Sequence, residues 1–191
     1  TAFVVAQAFV QASRWEGLGL TVAVNISSLL LGAIDLLERI DALARELSVR
    51  PDRVVLEVTE TWLDSDPVTA LDVLTRLKLR GFELSIDDFG TGYATLQQLR
   101  RVPFGEMKLD QSFVMSAVRD AEACAIVQSS IDLGHSLGLR VVAEGVENQA
   151  SWDLVHRLGC DQAQGYLMGQ PMAAEEVESW RSAWMAKVEE A

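Results

Sequence analysis

RGFELSIDDFGTGYATL, residues 80–96, contains the junction on which the reading of this chain turns. A glycine follows a run with helical periodicity, an apolar segment rich in strand formers comes next, and two adjacent carboxylates, Asp87 and Asp88, close it. The same order of helix end, glycine and strand recurs in LGLTVAVN (18–25), LGLRVVAE (137–144) and LGCDQAQG (158–165). Apolar residues at helical spacing occupy 1–15, 34–47, 68–80, 121–137, 148–158 and 174–188. Short apolar runs at 21–25, 54–58, 83–87, 106–109, 140–143 and 161–166 lie between them. Strands that are apolar on both faces and spaced by helices indicate parallel βα units. On periodicity alone, a doubly wound sheet and a closed barrel both remain open.

End signals support these boundaries. Asp66-Pro67 reads as an N-cap followed by proline at the first helical position. Gly81, Gly138 and Gly159 stand just past helices, where a left-handed residue is needed. No linker or second domain is visible, and residues 1–191 read as one domain.

Working outward from Asp87, every predicted strand ends on a polar group. The set is Asn25, Glu57 with Glu60 behind it, Asp87 with Asp88, Lys108 with Asp110, Glu144 with Glu147, and Gln164. Singly, each could be a helix cap or a loop acid. Together they match the way barrels place chemistry at the C-terminal ends of several strands. Carboxylates gathered at one mouth repel and raise one another's pKa unless a cation sits among them. Asn25, Glu57, Asp87, Asp88 and Glu144 offer only oxygen, which suits Mg²⁺, Mn²⁺ or Ca²⁺ rather than Zn²⁺. Adjacent acids such as Asp87 and Asp88 can serve two neighbouring ions, the arrangement used for phosphoryl displacement. Lys108 is then a fixed positive charge for the scissile phosphate or the attacking hydroxide. Glycines at 90 and 92 allow a tight turn beside the pair, with Thr91 and Tyr93 as loop-packing or substrate-contacting groups.

Composition sets the outer limits. The chain is 49% hydrophobic with a net charge of −12, the wrong sign for a nucleic-acid polymer binder. No apolar run reaches membrane-spanning length, and the first residues carry no basic signal region. Cys124 and Cys160 lack CxxC spacing and read as buried apolar residues of a reducing compartment, so cytoplasm is the expectation. His135 and His156 fall within helices, as surface or packing residues. Trp15, Trp62, Trp152, Trp180 and Trp184 read mostly as helix-packing groups rather than base-stacking platforms.

The segments VNIS, LEVTE, IDDFGTGYATL, MKLDQSFV, VVAEGVE and GCDQAQGYLMGQP, in this order, closely resemble the EAL family of bacterial cyclic di-GMP phosphodiesterases. The resemblance covers nearly the whole chain. It implies a TIM-like (β/α)₈ barrel with one strand reversed and hydrolysis of cyclic di-GMP to linear pGpG. It also implies two Mg²⁺ or Mn²⁺ ions, with Ca²⁺ as an inhibitor. Asn25, Glu57 and Asp87 would ligate the first ion, and Asp87, Asp88 and Glu144 the second. Lys108 would act on the attacking hydroxide, Asp110 would hold Lys108 or a water, and Glu60 would tether the loop that follows Asp88. Glu147, Gln164, Gly165 and Thr91 would line the substrate side.

A homodimer, a cytoplasmic setting without membrane contact by this domain, and an upstream sensor or GGDEF domain also follow from the resemblance. Gly105, Gln111 and Met168-Gly169-Gln170 depart from the family pattern, and the last leaves guanine contacts there unassigned. The Glu-Ala-Leu signature would precede Thr1, so the sequence is expected to be part of a longer chain. Only six strands are present, against eight and roughly 250 residues for such barrels. An inactive cyclic di-GMP receptor is the alternative. An enolising lyase with Mg²⁺ ligands at strand ends is a third reading, which would not need the Asp87-Asp88 pair.

Overall fold

The structure is a computed structural model that describes residues 2–26, 35–60, 67–91 and 96–189. Helix α1 (Ala2–Arg14) leads into β1 (Val22–Asn25), and α2 (Asp35–Glu46) into β2 (Val54–Thr59). Helix α3 (Pro67–Leu79) precedes β3 (Glu83–Phe89), α4 (Leu96–Arg101) precedes β4 (Glu106–Leu109), and α5 (Gln111–Ala117) with α6 (Ala121–Ser136) precedes β5 (Arg140–Ala143). Helix α7 (Gln149–Arg157), β6 (Gln162–Ala163), a 3₁₀ turn at Ala174–Glu176 and α8 (Val177–Glu189) complete the chain.

The strands form one sheet in the order β1-β2-β3-β4-β5-β6, and every pairing is parallel. This order settles the choice the periodicity left open. A doubly wound sheet reverses its strand order at a switch point, whereas a barrel wall adds each strand beside the last. The wall is that of a TIM-like α/β barrel. The reversed strand implied by the resemblance is not among the six described.

Period two along β3 explains how one strand serves two environments. Leu84 and Ile86 are fully buried in the helix-facing core with Phe9, Leu56, Leu74, Leu77, Phe82, Met107 and Ile131. Ser85 and Asp87 take the alternate positions and face the barrel interior. Chain reversals before the strands use left-handed glycines, with φ of 94° at Gly81 and 74° at Gly138.

Four differences from the sequence reading have physical causes. The strand expected at 161–166 shrinks to Gln162–Ala163. Gly165 is pressed so closely on the segment after β5 that a Cβ there would lie 2.3 Å from the Val146 carbonyl oxygen, and Met168 N–H turns back onto Gly165 O. Helices α4 and α5, six and seven residues long, are too short for periodicity to reveal. The segment at 174–188 begins as a 3₁₀ turn before becoming helical. Cys124 and Cys160 are free but only half-buried, and the Cys160 thiol donates to Val141 O and Gln162 O. The cap reading of Asp66, the packing reading of Trp62 and the loop reading of Tyr93 lie outside the described residues.

Trp152 packs against the core, and Trp180 and Trp184 stack at 6.4 Å on α8. The Trp180 indole N–H donates to Met168 O, which ties α8 back to the segment after β6. His135 in α6 contacts Asp161 at 2.9 Å, and His156 is exposed on α7.

Candidate functional site

Parallel register lines up the strand ends. Asn25 pairs with Glu57, Thr59 with Asp87, and Leu109 with Ala143 just before Glu144. Glu57, Asp87 and Lys108 are 6%, 8% and 4% exposed, which few charged side chains tolerate without partners.

The partner they share is Lys108. Its Nζ lies 2.9 Å from Glu57 Oε1, 3.0 Å from Asp87 Oδ1 and 2.6 Å from Glu144 Oε1. The Asp87 contact is ionic rather than a well-aligned hydrogen bond, since Oδ1 finds no partner in hydrogen-bonding geometry. One cation against three carboxylates leaves the cluster two charges negative. Burial therefore pushes the Glu57 and Glu144 carboxyls above the usual range, against the Lys108 charge that pulls them down. Burial likewise pushes Asp88 up, and neighbouring Asp87 adds to it. For Lys108, burial alone would lower the ammonium's pKa. The Glu57 charge and the hydrogen bonds to Glu144 and Glu57 outweigh it and raise the value, so the amine stays charged.

Adjacent strand residues normally point to opposite faces, so Asp87 and Asp88 could not both face one ion from a regular strand. The β3–β4 register shifts between Ile86 and Phe89, and Asp88 adopts φ of 56°. That left-handed turn at a non-glycine residue swings the second carboxylate back. Oxygens of Asp87, Asp88 and Glu144 come within 4.8 Å of one another. An all-oxygen set with a cation already drawn into it fits a divalent metal of the Mg²⁺ or Mn²⁺ type.

The remaining predicted residues are distributed around this centre. Glu60 is buried and accepts a hydrogen bond from Gly90 N–H at 2.9 Å, joining β2 to the loop after Asp88. Thr91 donates its hydroxyl to Asp88 O in the same loop. Asp110 caps α5, accepting from Ser112 N–H at 3.0 Å and from the Ser112 hydroxyl. Its Oδ1 thereby serves the helix, while the Lys108 ammonium lies against Glu57, Asp87 and Glu144. Asn25 is in register with Glu57 but exposed, and Glu147 and Gln164 are exposed on loops beyond β5 and β6. Gln164 is held through its backbone, which donates to Ala143 O and accepts from Val146 N–H, next to Gly165.

Sequence reasoning missed two interior groups. Ser85 Oγ is buried without a hydrogen-bond partner on the interior side of β3. Glu106, one interior position below Lys108, is held by Arg140 at 3.0 Å. The spacing of Glu106 and Lys108 two apart on β4 was the signal that both face inward.

The raised carboxyls make a pH prediction. A carboxyl with a raised folded-state pKa contributes stability below its unfolded value, and that contribution is lost as pH climbs through the folded value. The metal-free chain is therefore expected to lose stability as pH rises from 4.5, where Glu57 and Glu144 titrate when unfolded. Urea midpoints followed from there into the neutral range check this. Mn²⁺ should flatten the decline, and a midpoint that rises over the same window would contradict it.

A family model described as EAL domain matches residues 1–171. The bifunctional diguanylate cyclase/cyclic di-GMP phosphodiesterase MucR of Pseudomonas aeruginosa is 41% identical over 157 residues, covering 82% of this chain and 23% of that protein. The cyclic di-GMP phosphodiesterase RocR of the same organism is 40% identical over 156 residues, covering 82% of this chain and 40% of RocR. The matched region thus spans less than half the length of either curated relative. A solved MucR phosphodiesterase in complex with c-di-GMP superposes with a TM-score of 0.88 at 37% identity, covering 92% of this chain and 72% of that one. The manganese/cyclic di-GMP complex of Klebsiella pneumoniae BlrP1 gives a TM-score of 0.84 at 31% identity, covering 91% and 44%.

Proposed function

This chain belongs to the EAL domain family, and on that premise we propose that it is a metal-dependent phosphodiesterase that opens cyclic di-GMP to linear pGpG. The observation that carries the reading is the oxygen-only grouping of Asp87, Asp88 and Glu144, with Glu57 sharing Asp87 and Glu144 through Lys108. When bound, divalent ions supply positive charge against the phosphodiester and make water a better nucleophile.

Glu57, Asp87, Asp88 and Glu144 are the residues that would hold those ions, with Asn25 beside Glu57 in register. Hydrolysis forms one P–O bond to the oxygen of water and breaks one bond from phosphorus to a ribose 3′-oxygen. The proton that water loses ends on the departing 3′-oxygen, and the carboxylates gathered at the strand ends around Lys108 are placed to relay it. Lys108 offers a buried ammonium to the phosphoryl oxygens. Glu60 fixes the loop after Asp88 through Gly90, and Asp110 fixes the start of α5. Thr91, Glu147, Gln164 and Gly165 stand on the loops at the same strand ends and form the substrate side.

The wider setting is part of the same proposal. A cytoplasmic setting belongs to it, and no helix among the described residues is long and apolar enough to cross a membrane. MucR, of which the matched region is a minor part, supports a longer chain with an upstream cyclase or sensor unit. Homodimerisation, which the resemblance implies, is part of the proposal.

The deciding experiment follows cyclic di-GMP by chromatography in the presence of Mg²⁺ or Mn²⁺, on this chain and on a version extended upstream. A single linear dinucleotide product is expected, suppressed by Ca²⁺. Tight nucleotide binding without cleavage by either version would make the domain a receptor. Absence of binding would remove the nucleotide assignment.

A further inference from the structure

Inside the barrel, each charged side chain of the site stands one interior position above another residue of its own strand. Val55 lies below Glu57, Ser85 below Asp87, Glu106 below Lys108 and Val142 below Glu144. All four lower residues are buried. Bulky branched residues ordinarily fill a barrel at this depth, as Val55 and Val142 do here. Glu106 is taken up by Arg140, which meets its Oε2 at 3.0 Å. Ser85 is the one polar group of the four with its bonding capacity unspent, since its Oγ is fully buried and has no hydrogen-bond partner. Alanine would occupy the same space without a buried hydroxyl to satisfy, so the hydroxyl calls for a reason in function.

The other buried side-chain oxygen without a hydrogen bond among the described residues is Asp87 Oδ1, at the next interior position of the same strand. The Lys108 ammonium offsets its charge without meeting this need, because the approach is not aligned as a hydrogen bond. Two residues of strand separate the Cα atoms by about 6.6 Å. A single water at about 2.8 Å from each oxygen can bridge that spacing.

We propose that Ser85 is a positioning residue of the metal centre, holding the Asp87 carboxylate from beneath through one buried water. The hydroxyl donates to the water and the water donates to Asp87 Oδ1, which satisfies both atoms. This rests on the metal reading above and deepens it. Asp87 belongs both to the carboxylates around Lys108 and to the grouping with Asp88 and Glu144, so its orientation bears on the whole site. Groups that orient a ligating side chain in this way are worth about 10–100-fold in metal affinity or activity.

The test uses the chain extended upstream, unaltered and as Ser85→Ala and Ser85→Thr. Calorimetry gives Mn²⁺ affinity, urea midpoints give stability without metal, and chromatography gives kcat and KM for cyclic di-GMP. Ser85→Ala should weaken Mn²⁺ binding by about tenfold or more. Its urea midpoint should move little, since alanine fits the same space and forfeits only a bond to water. A residue that served the fold alone would lose midpoint and affinity together. At saturating Mn²⁺ the loss should show in kcat and not in KM, because Ser85 lies a layer below the substrate. Ser85→Thr keeps the hydroxyl and should recover most of the affinity.

An Mn²⁺ affinity unchanged in Ser85→Ala, or reduced only in step with the urea midpoint, overturns the proposal. Metal binding by the unaltered chain would then still stand, and only the part given to Ser85 would fall. If the unaltered chain takes up no Mn²⁺, the metal reading falls and the proposal with it. Should threonine prove too large for the barrel interior, the contrast between affinity and midpoint in Ser85→Ala decides alone.

Discussion

Asp87→Asn is expected to reduce cyclic di-GMP turnover by about a thousandfold, because it weakens a carboxylate shared by both groupings of ligands. Asp87 is 8% exposed, its Oδ1 is 3.0 Å from Lys108 Nζ, and its carboxylate also belongs to the grouping with Asp88 and Glu144. The amide keeps the shape of the side chain and removes its charge, so the loss should appear in Mn²⁺ affinity as well as in rate. Calorimetric Mn²⁺ titration and chromatography of the product measure the two on the same sample. Folding should survive, since one acid fewer beside Lys108 also relieves repulsion among those that remain. Unchanged Mn²⁺ binding in this variant would show that the ions are held elsewhere.

The second large effect concerns stability. Phe82 is fully buried at the entrance to β3, with its ring centroid 6.0 Å from that of Phe9 in α1. Truncation to alanine removes most of a large apolar side chain and leaves a cavity that the sheet cannot close. Phe82→Ala should cost about 3–5 kcal/mol. Measured against the roughly 5–15 kcal/mol typical of a domain, that is on the order of a fifth or more of the total. Denaturant unfolding with an unchanged slope and a lowered midpoint would be the signature. A shift in midpoint worth less than about 1 kcal/mol would mean that α1 moves in to fill the gap.

The elements with long apolar periods were the legible ones. Helices α1, α2, α3, α6 and α7 lie within about two residues of their sequence-read limits, because each presents several turns to the core. Strand existence was equally plain from the β-branched runs, but strand length was not. β6 stops where Gly165 meets the Val146 backbone, a long-range contact that no local pattern records. β3 runs to Phe89 because its bulge lets the chain continue past Asp87.

For the site, residue type and position at a strand end were enough to nominate Glu57, Asp87, Asp88 and Glu144. What they could not convey was the partner each side chain would choose. Asp110 lies two residues past Lys108, and nothing in that spacing shows that its carboxylate caps α5 through Ser112. The acids' need for a cation could be argued from repulsion alone. That the chain meets it with Lys108, rather than leaving it wholly to metal, depends on β2, β3, β4 and β5 lying side by side.

Asp88 at φ of 56° has a consequence for how the domain can evolve. A glycine would hold that left-handed turn without steric cost, whereas an aspartate holds it at some expense to the fold. Selection for robustness alone would drive this position toward glycine, and with it would go one of the oxygens beside Asp87 and Glu144. A lineage released from catalysis thus has an easy exit here, trading a carboxylate for a more relaxed backbone. The residue at position 88 in any descendant of this chain is therefore a compact record of which pressure has prevailed.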